Sequence, residues 1–175
     1  MNREQIAQLL ETNHAHFIKQ VTELNEADFC YAPRDKWSAA QQLDHLVRSV
    51  SPVNMALGLP KFIVQWKFGT ANRSSKTYEG LIDKYNLKLL EGGRASGRFV
   101  PPAVKAGSRQ KLLTQLTGVV NKLCHKTKKH SEEALDTYIL PHPLLGKLTF
   151  REMLYFTAYH VEHHKHLVEK GLRRE

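Results

Sequence analysis

Apolar residues recur at three- and four-residue steps in four long stretches of this chain, and nowhere does hydrophobicity alternate at period two for long enough to build a sheet. A stripe of that spacing covers one face of a helix and has to be buried against a neighbour, so the pattern commits the chain to packed helices. The first stretch, NREQIAQLLETNHAHFIKQVTELN, carries Ile6, Leu10, Phe17, Val21 and Leu24 on one stripe, with Asn2 and Gln5 placed as a capping box. In the second, WSAAQQLDHLVRSV, Ser38 and Gln41 stand in the same relation, Leu43, Leu46, Val47 and Val50 form the buried face, and Pro52 is expected to kink or end the helix. The third, SRQKLLTQLTGVVNKLCHKT, opens at Ser108 and repeats Leu112, Leu116, Val119, Val120 and Leu123. The fourth, TFREMLYFTAYHVEHHKHLVEKG, is bounded by a Thr149 and Glu152 cap and by Gly171 as a left-handed stop.

The link between the second and third stretches, residues 58 to 107, far exceeds the two to eight residues of a tight helix–helix turn and is long enough to cross a bundle. Within it TYEGLIDKYNLKLLEGG predicts a shorter helix ending at Gly92 and Gly93, while RASGRFVPPAVKAG reads as irregular chain bordering a site. Phe62, Ile63, Trp66 and Phe68 suggest either a pocket lid or a contact with a partner, a homodimer included. The predicted architecture is all-α: a four-helix bundle with a long crossover between helices two and three, in one domain over residues 1–175, because a chain of this length forms a single core.

Composition narrows the functional classes. With 41% hydrophobic and 25% charged residues the chain is not of the disordered type. It contains no run of about 18 apolar residues and no apolar secretory signal, so the expected location is the cytoplasm, with no membrane partner. Cys30 and Cys124 lack a C-x-x-C spacing and are expected as buried free thiols. The net charge of +9 draws anions. The densest basic run, HKTKKH from His125 to His130, falls at the end of the third helix, where cations complement the helix dipole, and lacks interleaved aromatic rings that would stack bases. Nucleic acid is therefore not the expected partner.

Four of the ten histidines crowd into FTAYHVEHHKHLVEK. At about 100° per residue His160 and His164 share the face of Met153, Phe156 and Leu167, His163 lies at its edge, and His166 points away. Two imidazoles in an apolar seam need partners, since an unpaired buried polar group costs about 1 to 3 kcal/mol. The i, i+4 spacing lets both hold one cation, although it equally fits hydrogen-bonded core histidines. His45, at the margin of the second helix's stripe, can look into a seam between helices, and His14, between Leu10 and Phe17, is either a core histidine or part of the same cavity.

WSAAQQLDHL (37–46) and PHPLLGKLTFREMLYFTAYHVEHHKHL (141–167) resemble the DinB/YfiT-like superfamily of metalloenzymes, in which a Trp and a small polar cap precede a helix bearing one His, and an H-P-x-x-G-x-x-T segment leads into a helix ending in Y-H-x-x-H-H. The resemblance implies His45, His160 and His164 as a metal triad in a four-helix bundle with a long crossover. It also implies either a metal-dependent hydrolase or a transferase joining a low-molecular-weight thiol to an electrophile. Three neutral imidazoles leave a coordination position open and suit zinc or nickel, and the open position can activate water or a thiol. The basic surface favours an anionic thiol as the small-molecule partner. His142, Gln42 and His163 are candidate helpers, and no catalytic residue is assigned. The alternative is a non-catalytic metal-binding or stress-related binding protein contacting nucleic acid through its basic surface, which would bind with a steep salt dependence.

Overall fold

The computed structural model describes residues 1–34 and 36–173; Asp35, Arg174 and Glu175, which the predicted domain span includes, lie outside the described residues. The helices are α1 (Arg3–Glu23), α2 (Glu26–Cys30), α3 (Ala39–Ala56), α4 (Lys61–Phe68), α5 (Tyr78–Leu90), α6 (Arg109–Lys129), α7 (Glu132–Thr137) and α8 (Phe150–Leu172), with strands β1 (Ile139–His142) and β2 (Gly146–Thr149) between the last two. The four long helices are the four periodic stretches. They pack in a ring in which α1 and α3 each lie chiefly against both α6 and α8, the arrangement of a four-helix bundle. The apolar stripes meet in one cluster that includes Leu10, Phe17, Leu43, Leu46, Leu116, Leu123, Leu154 and Val161.

Helix starts follow the local chemistry. The Asn2/Gln5, Ser38/Gln41 and Thr149/Glu152 capping boxes all form. Ser108 stands at the start of α6 but makes no side-chain cap, because a 3₁₀ turn over Ala106–Ser108 leads directly into the helix. Pro52 does not end α3, which runs on to Ala56: Val50 and Val53 keep the helix packed on both sides of the proline, and at its end Leu57 N–H donates to Val53 O at 3.0 Å. Gly171 is not a left-handed stop either and stays within α8. Its missing side chain serves a close approach, since a Cβ there would lie 3.3 Å from Cγ of Pro33.

The crossover carries α4 and α5, with Gly92 at φ +92° just beyond the end of α5, where the two glycines predicted a stop. A short antiparallel hairpin departs from the sheet-free expectation: Ile139 pairs Thr149, Leu140 pairs Leu148, Pro141 pairs Lys147 and His142 pairs Gly146. Four-residue strands interrupted by Pro141 are too short to display a period of two. The loop closes through Gly146 at φ +78°, and β2 ends on Thr149, which at once caps α8. The hairpin thereby fixes where α8 begins.

Cys124 is buried as expected, its thiol pushed up to about 11 chiefly by burial. Cys30 is exposed, because five-residue α2 turns only Phe29 into the core. Among the described residues no helix is long and apolar enough to cross a membrane.

Candidate metal centre

The site begins with two helices. His160 and His164 stand one turn apart on the buried face of α8, and His45 projects from the facing side of α3. Nε2 of His45 lies 3.3 Å from Nε2 of His160, which lies 2.9 Å from Nε2 of His164. All three residues are at most 6% exposed. The structure thus gathers the three histidines singled out from sequence into one buried group whose donor atoms lie within 4.8 Å of one another.

The outer nitrogens decide what the inner ones can do. Nδ1 of His45 meets the carbonyl oxygen of Phe99 at 2.7 Å, and Nδ1 of His164 meets Oε1 of Gln42. Both oxygens can only accept, so each Nδ1 carries the ring hydrogen and each Nε2 presents a lone pair to the centre of the cluster. Burial holds all three imidazoles below the ordinary histidine range, and for His160 and His164 the neighbouring imidazoles push further in the same direction. Neutral rings with inward lone pairs are the state a metal requires of its ligands. Trp37 backs the group, its ring 5.0 Å from that of His45 and stacked 6.4 Å from that of His164, and the Ser49 hydroxyl reaches His45 Nε2 at 3.3 Å.

Above the cluster opens a cavity of about 690 Å³ whose walls include Trp37, Tyr85, Leu89, Phe99, Leu144 and Phe156. Lys36 and Arg94 also line it, and no Asp or Glu does among the described residues. Tyr85 packs its ring on those of Phe156, His160 and His163, and burial pushes its phenol well above the ordinary range.

The other histidines separate clearly. His163 lines the cavity beside Tyr85, and His142 lines it with its ring 4.3 Å from that of Phe156. His14 does not line it: the residue is buried in α1, Nδ1–H donates to Leu10 O at 2.7 Å, and the core alternative holds. His166 is exposed, as its angular position predicts. None of the cavity-lining residues comes from α4, so Phe62 and Trp66, 73% and 86% exposed, form no lid. Helical spacing places Ser49 one turn from His45, whereas sequence patterns carry no mark of the Phe99 carbonyl or Tyr85. The irregular stretch from Arg94 to Gly107, expected to border a site, lines the cavity through Arg94, Ala95, Ser96, Phe99 and Val100.

No curated protein matches the chain. The crystal structure of TT2238, described as a four-helix bundle protein, superposes with a TM-score of 0.60 over 97% of this chain and 99% of its own, at 15% identity, which is a likeness of fold. The profile of the DinB superfamily matches residues 9–168, a span that takes in α3, the hairpin and all three clustered histidines. With both the bundle and nearly the whole sequence in agreement, the chain belongs to the DinB superfamily.

Proposed function

We propose that the three-histidine cluster holds one divalent ion, zinc or nickel, and that the protein is a metal-dependent enzyme joining a small thiol to an electrophilic small molecule. The observation that carries the first half is the pair of outer acceptors, Phe99 O and Gln42 Oε1, which turn two Nε2 lone pairs toward a single point. Nitrogens sharing a tetrahedral ion at about 2 Å stand roughly 3.3 Å apart, and the Nε2 spacings of 3.3 and 2.9 Å approach that value. Left without a cation, the His45 lone pair, which the Ser49 hydroxyl reaches at 3.3 Å, and that of His164 would face a third nitrogen that carries one ring hydrogen at most.

His45, His160 and His164 would hold the ion, which when bound would supply Lewis-acid chemistry that lowers the pKa of a water or thiol. The choice between hydrolysis and thiol transfer rests on the walls. Apolar and aromatic side chains such as Trp37, Leu89 and Phe156 suit an organic electrophile, while Lys36 and Arg94 attract a carboxylate on an incoming thiol. In the transfer, the sulfur–carbon bond forms as the carbon's bond to its leaving group breaks with its electron pair, and the thiol proton passes to solvent. Trp37, Tyr85 and Phe156 would hold the reacting carbon against the cluster.

The test combines metal analysis with turnover. Purified protein given zinc or nickel without chelator is expected to hold about one equivalent and to speed the conjugation of a carboxylated thiol such as glutathione to a chromogenic aryl halide. His160→Ala is expected to lose both. Uptake below about a tenth of an equivalent sinks the metal reading; full uptake with no rate above the metal-free protein sinks the transfer.

A further inference from the structure

His142 stands at the end of β1, where the hairpin loop returns the chain to β2. Its Nδ1 accepts from the backbone N–H of Leu144 at 3.1 Å and of Leu145 at 3.0 Å. Backbone amides only donate, so Nδ1 holds a lone pair and the hydrogen of the neutral ring sits on Nε2. A second ring hydrogen on Nδ1 would point at two amide hydrogens and break the loop. Burial, with help from the Lys84 ammonium, pushes the pKa down to about 4, so the ring stays neutral at ordinary pH.

The Nε2–H has no acceptor among the described residues, yet it is not one of the polar atoms sealed away from solvent without a partner. It is thus a donor with a fixed hydrogen on a residue that lines the cavity. The ring packs on Phe156, whose own ring lies 4.7 Å from that of His160, so the donor stands one aromatic ring away from the three-histidine cluster. Among the described residues it meets no acceptor and no Asp or Glu lines the cavity, while the Lys84 ammonium is tied to Leu145 O at 2.8 Å. An acceptor carried by a bound ligand would meet it.

We propose that His142 is a specificity-determining residue, donating from Nε2 to a carboxylate or carbonyl oxygen that the bound small molecule carries one ring's width from its metal-binding atom. This rests on the metal reading above, and the test separates the two. The full chain is loaded with cobalt(II), whose visible spectrum reports a bound thiolate, and titrated with ω-mercaptocarboxylates of three to six carbons and with alkanethiols of the same lengths. At the best-fitting length the mercaptocarboxylate is expected to bind about ten-fold tighter than its alkanethiol, the size of one hydrogen bond to a charged group. In His142→Asn the side-chain oxygen still accepts from the loop amides, as Asx turns do, but nothing reaches the place of Nε2. There the preference is expected to fall below about two-fold, with cobalt uptake and alkanethiol affinity unchanged.

An equal preference in the two proteins overturns the role of His142 while leaving the metal centre standing. Absence of a cobalt spectrum overturns the metal centre, and this inference falls with it. A second measurement needs no variant: in zinc-loaded protein with ¹⁵N-labelled histidine, the Nε2–H signal of His142 is expected to shift with the mercaptocarboxylate and stay in place with the alkanethiol. No shift with either is a second way to overturn the proposal.

Discussion

Gln42 shows how much of the candidate centre depends on a side chain that touches no ion. It is 3% exposed on α3, and its Oε1 is the acceptor that keeps the hydrogen of His164 on Nδ1. Remove that acceptor and the His164 ring is free to turn and to take the other tautomer, which would place a hydrogen where the lone pair is needed. Gln42→Leu fills the space without accepting, so we expect zinc affinity to fall about 10- to 100-fold, the usual cost of losing such a partner. Gln42→Glu keeps an acceptor and is expected to bind at least as tightly as the parent. Competition against a chromophoric chelator measures both, and a Gln42→Leu protein that binds zinc like the parent would show that the amide does not orient the ring.

At the scale of elements, the crossover is held in place by the same carboxylate that starts α8. Glu152 is fully buried; it accepts from Thr149 N–H at 3.0 Å, from Lys76 N–H at 2.8 Å, and from both forks of the Arg73 guanidinium at 2.6 and 2.8 Å. Burial alone would raise its pKa, and Arg73 with the two amides outweighs that and holds the carboxyl below the usual range. Breaking a buried ion pair from one side costs about 3 to 5 kcal/mol. Arg73 is 38% exposed and two amide bonds remain, so Arg73→Met is expected to cost about 2 kcal/mol, read as a lower urea midpoint at constant slope. Part of this was legible in the chain. The Thr149/Glu152 cap is a local pattern, and the placement of His160 and His164 follows from helical angle alone. The grip of Glu152 on a residue 79 positions earlier is not local, and neither is the Phe99 carbonyl, 54 positions from the histidine it orients. Periodicity reports which face of a helix is buried and says nothing of which loop backbone will lie against it. The hairpin escaped for another reason: its strands are shorter than the window in which alternation can be recognised.

Across the whole molecule, burial of neutral imidazoles makes acid the natural solvent condition for unfolding. His14 gives the cleanest case. It is 1% exposed in α1, its Nε2 has no partner among the described residues, and burial lowers its pKa from 6.5 to about 4, only partly offset by the Leu10 carbonyl. The folded chain therefore resists a proton that the unfolded chain accepts, so the unfolded state binds more protons between those two values. The stability this residue leaves intact is present above pH 6.5 and is withdrawn as pH falls toward 4, by about 3 kcal/mol in all. His14→Leu removes the titrating group and its orphaned nitrogen, while Leu10 O keeps its place in the helix. Urea unfolding of metal-free protein at several pH values between 6 and 4.5 is expected to show stability declining with acid in both chains, because the other buried histidines remain. The decline should be shallower in His14→Leu by up to about 1.4 kcal/mol per pH unit, the limit set by one proton. Equal slopes would mean that His14 takes up its proton in the folded bundle as readily as in the unfolded chain, which a sealed ring with no second partner has no way to do.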